Sequence, residues 1–176
     1  LYDILRRGTL PIDLFLDDVA RRRPPRVPGT AVFMTSTSGG APVVLLHHLK
    51  HNKVLHEQVV LLSIRTAEVP DVDEEETLEV EALGQGFYRV LATYGFMERP
   101  DVPQIMKFLS ARGIRARSME TSFYLGRERL LPQVGGRMSA WRKKLFVVMS
   151  RNARSATEFF NIPPNRVVEL GTQIEF

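Results

Sequence analysis

Apolar and polar residues alternate along the chain in patterns that predict both helices and strands. Within Thr9–Ala20, four apolar residues recur at the i, i+3, i+4, i+7 spacing of one helix face: Ile12, Phe15, Leu16 and Val19. Pro11 suits the first turn of this helix. Arg21–Pro28, with three prolines and four arginines, cannot continue the helix and is predicted to be a linker. We therefore expect a boundary here, with 1–26 as a leading segment and 27–176 as the main domain.

The residues after Gly29 predict a β-α-β unit. Thr30–Thr35 is a short apolar strand, Ser36–Ala41 is a loop of small residues, and Pro42–His51 is a helix. Three leucines of this helix are expected to face inward: Leu45, Leu46 and Leu49. Gln58–Ile64 is a continuous apolar run, typical of a strand buried on both faces. The acidic stretch Glu68–Thr77 is predicted to be a solvated loop.

The second half predicts a hairpin followed by further helices and strands. Leu78, Val80 and Ala82 alternate with acids, and Gly84–Gly86 turns the chain into a strand at Phe87–Tyr94. Asp101 is a predicted N-cap for a helix at Val102–Arg112, and a strand is expected at Thr121–Leu125. One apolar stripe predicts a long helix from Ser139 to Phe160 that buries Trp141, Phe159 and Phe160. The last predicted strand alternates through Val168, Leu170, Thr172, Ile174 and Phe176.

These elements predict an α/β fold with a mixed, mainly parallel sheet of about six strands and three to four helices. Composition then narrows the functions. The 176 residues contain no cysteine, which excludes disulfides and thiolate chemistry. The longest apolar run, Leu145–Met149, is far below the roughly 20 residues of a membrane span. The chain starts without Met, so we expect a fragment without a signal peptide.

The net charge of +4 does not indicate nucleic-acid binding, because basic and acidic residues alternate in the folded part and no aromatic stacking platform is evident. Charge is concentrated in two places. Arginines cluster at Arg21–Arg26, and 68–76 holds six acids and no base.

Candidate chemistry is sparse. All four histidines lie close together, at His47, His48, His51 and His56, and the first and third are spaced to chelate a metal from one helix face. A metal site also needs a third ligand, and the nearest acid, Glu57, lies beyond the predicted helix end. We therefore interpret the cluster as a polar, imidazole-rich helix face and predict no metal ligand.

Two glycine pairs could contact phosphate. Gly84 and Gly86 lead into a strand, so no helix N-terminus would face an anion, and a plain hairpin turn is favoured. Gly135-Gly136 precedes a helix with basic residues nearby, which leaves an anion site as the alternative to a loop. No nucleophile or Walker spacing occurs. We predict no catalytic residue, no enzyme activity and no cofactor, and we assign no cofactor-binding residues.

Four stretches together resemble the C-terminal cytoplasmic domain of the Kup family of potassium uptake transporters. They are His47–Ser63, Gly86–Glu98, Thr121–Glu128 and Trp141–Gly171. The resemblance runs from about Arg26 to Phe176, and Leu1–Arg23 resembles a juxtamembrane lead-in.

The resemblance implies a potassium–proton symporter at the bacterial inner membrane, with this chain on the cytoplasmic face of a multi-pass protein. The ion and proton sites of the family lie in a membrane part of about twelve helices, so none is carried onto this chain. The implied fold is nucleotide-binding-like, similar to universal stress proteins. The implied partner is the membrane part of the same transporter, and some members are thought to respond to cyclic di-adenosine monophosphate.

Three questions stay open at this stage. The chain is either a regulatory and assembly domain or a freestanding nucleotide-binding module, which the small-residue loop Ser36–Gly40 would favour. A homodimer and an adenine-nucleotide second messenger are further alternatives. The leading helix, with arginines after it, is predicted to lie along the membrane surface, and docking onto the main domain is the alternative.

Overall fold

A six-stranded mixed β-sheet runs through the chain and carries helices on both faces. The computed structural model describes residues 10–36, 39–73, 77–117, 120–131 and 159–175. In chain order the elements are β1 (Leu10–Pro11), α1 (Ile12–Arg22), β2 (Arg26–Met34), β3 (Gly40–Ala41), α2 (Val43–Asn52), β4 (Leu55–Thr66), β5 (Leu78–Gly84), β6 (Phe87–Tyr94), α3 (Val102–Ala111), β7 (Thr121–Leu131), a 3-10 turn (Pro164–Arg166) and β8 (Val167–Glu175). The predicted α/β class with a mostly parallel sheet is confirmed.

The strand order of this sheet is β5-β6-β4-β2-β7-β8, and among its described strands only β5 runs antiparallel to its neighbour. The five parallel strands, counted along the chain, therefore lie in the order 3-2-1-4-5. The predicted hairpin joins β5 to β6 through Gly84, Gln85 and Gly86, all of which have positive φ. Winding starts at β2 and proceeds first to one side and then to the other, so its direction reverses between β2 and β7.

The strands end at different heights at their carboxyl ends. Met34, the last residue of β2, pairs with Leu62, whereas β4 continues to Thr66 beside Tyr94. On the other side β7 continues to Leu131. At ~3.3 Å per residue, β2 stops about 13 Å short of the end of β4. The central strand is thus recessed between two longer walls.

Each face of the sheet has its own apolar core. On one face, α1 and α2 cover residues of β2, β4, β6 and β7: Ala31, Phe33, Val59, Leu61, Phe87 and Tyr124. On the other face, α3 covers the alternate residues: Val32, Val60, Leu62, Val90, Phe123 and Leu125. The period of two that separates these sets is the side-chain alternation of a strand, which explains why the central strands are apolar throughout.

The leading helix α1 docks on the sheet. Its four stripe residues, Ile12, Phe15, Leu16 and Val19, are all buried in the core shared with α2. Phe15 meets Phe87 edge to face with ring centroids 5.7 Å apart. The stripe predicted from sequence is confirmed, and the sheet, rather than a lipid surface, covers it.

Two strands begin earlier than predicted. β2 starts at Arg26, inside the predicted linker. Pro28 does not interrupt the strand, because it lies in a register shift between Val27 and Thr30, where a proline is tolerated. β4 starts at Leu55, three residues before the apolar run. Leu55 is buried, but the polar His56 and Glu57 that follow it interrupt the apolar pattern.

The end of the predicted long helix needs a correction. Residues 132–158, including Trp141, lie outside the described residues. Phe159 was predicted to be buried but is 56% exposed. The chain turns at Asn161, which has φ 52°, and Phe160 takes the inward position against the core under α3.

Candidate functional site at the carboxyl edge of the sheet

The recess above β2 is the best candidate for a ligand site. In open α/β sheets, ligands bind beyond the carboxyl ends of the strands where the winding reverses, here between β2 and β7. The chain leaves β2 through Thr35 and Ser36 and returns through Gly39 and Gly40, the small-residue loop singled out in the sequence. A Cβ built on Gly39 would meet nothing within 4 Å, so the loop borders open space.

The start of the described chain lies at this same edge. β1 pairs antiparallel with β3, with Leu10 opposite Ala41 and Pro11 opposite Gly40. Leu10 and Ala41 are both buried in the core under α1 and α2. Sequence patterns missed this pair, because two-residue strands carry no periodicity. The pair ties the chain that precedes α1 directly to the loop after β2.

A rigid turn projects beside the recess, where β4 and β6 end. We call Val69, Phe96 and Met97 the apolar knuckle; these side chains are 47%, 60% and 71% exposed. The Phe96 amide donates to the Val69 carbonyl at 2.9 Å, and the Met97 amide donates to the Pro70 carbonyl at 3.1 Å. The knuckle is therefore built from two loops that hold each other.

The carboxylate of Glu98 stabilises this framework, and Asp101 lies nearby at the start of α3. Glu98 Oε2 accepts the amides of Gly95 at 2.6 Å and Val72 at 3.2 Å. Asp101 occupies the predicted N-cap position of α3, but its side chain makes no cap hydrogen bond. Burial, together with the charges of Asp101 and Glu98, raises the pKa of Tyr94, although a hydrogen bond with the Asp101 backbone opposes the shift. Glu98 thus has a structural role here.

The histidine cluster divides between the surface and the core. His47 and His51 stack on α2 with ring centroids 6.0 Å apart. His48, by contrast, is 3% exposed and lies edge-on to Tyr124 at 4.7 Å. The predicted polar helix face is therefore wrong for His48, which points at the sheet one position before Leu49. The spacing of the leucines in the sequence predicted that leucines, and not His48, would face the sheet.

Two imidazoles, of the buried His48 and the half-buried His56, each have an unsatisfied ring nitrogen. His48 Nδ1 lies 3.0 Å from Asn52 Nδ2, but among the described residues its Nε2 has no hydrogen-bond partner, and neither has Nδ1 of His56. Burial lowers the pKa of both; for His48 the charge of His56 lowers it further, and a hydrogen bond with the Val54 backbone raises it. In the part of the chain that the structure describes, no three His, Asp or Glu residues are placed to hold a metal.

The turn at Gly84–Gly86 lies at the opposite, amino edge and is structural. Gln85 Nε2 donates to the Leu16 carbonyl of α1 at 3.1 Å, and its own carbonyl accepts Arg26 Nη2 at 3.0 Å. Arg26 also donates to the His56 carbonyl at 2.9 Å and lies over the Phe87 ring. Sequence gave Arg26 no such role, since its partners are 30 and 59 residues away. The second glycine pair, Gly135-Gly136, lies outside the described residues.

Comparison with known proteins now identifies the family. Residues 28–176 match the family model described as the K+ potassium transporter C-terminal domain. The chain belongs to this family. The resemblance inferred from its sequence is thereby confirmed.

Curated members of the potassium transporter family match almost the whole chain. A probable potassium transport system protein Kup from Anaeromyxobacter is 56% identical over 180 residues, covering 99% of this chain and 27% of the relative. A Kup 2 protein from Syntrophobacter fumaroxidans is 58% identical over 165 residues, covering 94% and 26%. The chain thus spans about a quarter of the length of these relatives. No solved structure matches. None of the helices within the described segments is long and apolar enough to cross a bilayer.

Proposed function

We propose that this chain is the cytoplasmic regulatory and assembly domain of a potassium–proton symporter at the bacterial inner membrane. Residues 1–26 lead from the membrane part into a domain at 27–176. The family match and the names of the relatives, which are potassium transport system proteins, support this proposal. The remaining three quarters of such a protein would hold the path for potassium and protons.

The pairing of β1 with β3 carries the regulatory part of the proposal. Leu10 belongs to the lead-in, and Ala41 closes the loop above the recessed end of β2. A ligand that moves this loop must therefore also move the lead-in, or break the pair. A domain that binds one conformation of a transporter better than the other shifts its equilibrium, and couplings of about 1 to 3 kcal/mol change rates several-fold.

The described polar side chains give no reason to assign the domain chemistry of its own. Glu98 is engaged by two backbone amides, and His48 is enclosed under α2. We therefore propose that it is not an enzyme and that ion selection and proton coupling lie in the membrane part.

Rubidium uptake by cells tests the proposal. Full-length transporter and a version truncated before residue 1 are compared at matched membrane expression. We expect the truncated protein to keep its potassium selectivity and to lose much of its uptake velocity or its response to a cytoplasmic signal. Unchanged velocity and regulation would contradict a regulatory role, and altered selectivity would place the domain in the ion path.

A disulfide lock sharpens this test. Leu10 and Ala41 are directly opposed, and opposed antiparallel residues have the Cα separation that a disulfide needs. We expect Leu10→Cys/Ala41→Cys to fix the lead-in to the loop under oxidation and to change uptake several-fold, reversibly with reductant. Each single cysteine variant is the matched control. Equal uptake in the oxidised and reduced double variant would contradict coupling through this pair.

A nucleotide-binding module is the second candidate. The order of the parallel strands and the recess at the switch point are features of nucleotide-binding α/β folds, among which universal stress proteins are the likeness we propose. Adenine nucleotides, including cyclic di-adenosine monophosphate, should then raise the melting temperature at saturating concentration. A shift with a nucleotide, and none with inorganic phosphate, would favour a nucleotide ligand. A homodimer would appear as doubled mass in solution.

A further inference from the structure

The apolar knuckle presents two large side chains to solvent on a rigid frame. Gly95 allows the frame to close, because a Cβ at this position would lie 2.0 Å from the Pro70 carbonyl oxygen. The two backbone hydrogen bonds between the loops and the Glu98 carboxylate also hold the turn, so its backbone is ordered before a partner binds. Single exposed apolar residues are common on protein surfaces. Pre-ordered aromatic and methionine side chains are, however, what protein interfaces use as anchors, since little entropy is lost on binding.

The charges around the knuckle are mixed and mainly acidic. Glu68 and Asp71 are exposed beside Val69, and the described residues 68–73 hold three acids and no base. Arg65 and Arg99 are the basic residues nearest in sequence. A surface that covers the knuckle should therefore combine an apolar depression with basic side chains. Anionic lipid fits poorly, because it attracts bases and repels acids.

The position of the knuckle indicates which partner surface would cover it. The chain enters the sheet at Leu10, which pairs with Ala41 at the carboxyl edge, and the knuckle stands at that same edge on the ends of β4 and β6. Leu10, the first described residue, therefore lies at the same edge as Phe96 and Met97. Cytoplasmic loops beside membrane spans are enriched in Lys and Arg.

We propose that the knuckle docks onto the membrane part of the same transporter, against a shallow apolar surface bordered by its basic cytoplasmic loops. This inference rests on the proposed function and adds the surface through which the domain contacts its partner. The acidic side chains around the knuckle would face those bases, and the turn would transmit the position of the membrane part to β4 and β6.

Site-specific photocross-linking in the full-length transporter tests the contact. Benzoylphenylalanine replaces Phe96 in one variant and Leu14 in a matched control, since Leu14 is also apolar and is 56% exposed, but on α1. We expect position 96 to cross-link to peptides of the membrane part at least tenfold more than position 14. Adducts mainly to phospholipid, mainly to a second copy, or equal at the two positions would overturn the proposal.

Uptake measurements separate this inference from the proposed function. Phe96→Ser/Met97→Ser should lower rubidium uptake several-fold at matched membrane expression, and Leu14→Ser should leave it within about twofold. If truncation lowers uptake and the knuckle variant does not, the domain is regulatory but docks elsewhere, and the inference is wrong. If truncation has no effect either, the proposed function fails first.

Discussion

The two edges of the sheet are built differently. At the amino edge, long-range side-chain hydrogen bonds connect neighbouring elements: Arg26 to the carbonyls of His56 and Gln85, Gln85 to Leu16 and Thr30 to Arg115. A local one joins Thr121 to the Arg117 carbonyl. At the carboxyl edge, β2 is recessed, the loop around Gly39 borders open space, and Phe96 and Met97 are exposed. The contrast indicates that the amino edge stabilises the fold, whereas the carboxyl edge is available for binding.

Helix α1 links the two edges, because it begins at the β1–β3 pair and reaches the Gln85 turn. Removing its anchor should therefore have the largest effect on stability. We expect Phe15→Ala to lower the free energy of unfolding by about 3 to 5 kcal/mol, since Phe15 is buried against Phe87. The urea midpoint measures this change, with the exposed Leu14→Ala as control. A Phe15 variant as stable as the control would mean that α1 does not dock in solution.

The turn at the amino edge should be the next most sensitive position. Gly84 and Gly86 both have positive φ, but only at Gly86 would a Cβ meet backbone, the Glu57 carbonyl oxygen at 2.3 Å. We expect Gly86→Ala to cost at least the roughly 1 to 3 kcal/mol of backbone strain, and Gly84→Ala to cost less because nothing lies within 4 Å. Thermal unfolding of the two variants compares them directly. Equal losses would show that the close approach to β4 has no effect on stability.

Acid should weaken the face covered by α2. The native pKa values of His48 and His56 lie below the unfolded value of about 6.5. At higher pH the two imidazoles are neutral in both the folded and the unfolded chain, and they do not reduce the free energy of unfolding. As pH falls below that value, the unfolded chain takes up protons first and stability decreases until the native pKa is reached. Each histidine costs at most about 1.4 kcal/mol per pH unit in this window. Urea midpoints between pH 7 and 5 measure the loss.

Replacing the buried His48 by phenylalanine tests whether this histidine causes the loss of stability in acid. His48→Phe should flatten the pH dependence, and the exposed His51→Gln should not flatten it to the same degree. A variant at His48 with the full acid sensitivity would assign the effect to other groups.

The carboxyl edge should show the smallest effect on stability. Phe96→Ser/Met97→Ser removes side chains that are mostly exposed. The free energy of unfolding, obtained from the urea midpoint, should therefore change by no more than about 0.5 kcal/mol. A loss comparable to that of Phe15→Ala would mean that the knuckle supports the fold, and the distinction between the edges would fail.

Sequence patterns predicted most of the sheet but little of its edges. The period of two in β5, the apolar runs of β2 and β4 and the stripe of α1 reflect burial, which acts on every residue of an element. The patterns could not tell which surface covers an apolar stripe, because the stripe at Phe15 and Leu16 suits a lipid surface as well as a sheet. The inward His48, the β1–β3 pair and the hydrogen bonds of Arg26 depend on contacts between distant segments, and no local period records them.

Hydrogen exchange tests most directly whether the carboxyl edge faces the rest of the transporter. Peptides from the two edges are compared between the chain alone and the full-length protein. We predict that amides of 39–41 and 95–98 exchange at least tenfold more slowly in the full-length protein, while those of 84–87 and 114–117 at the amino edge are unchanged. Slower exchange at the amino edge, with none at the carboxyl edge, would contradict the account.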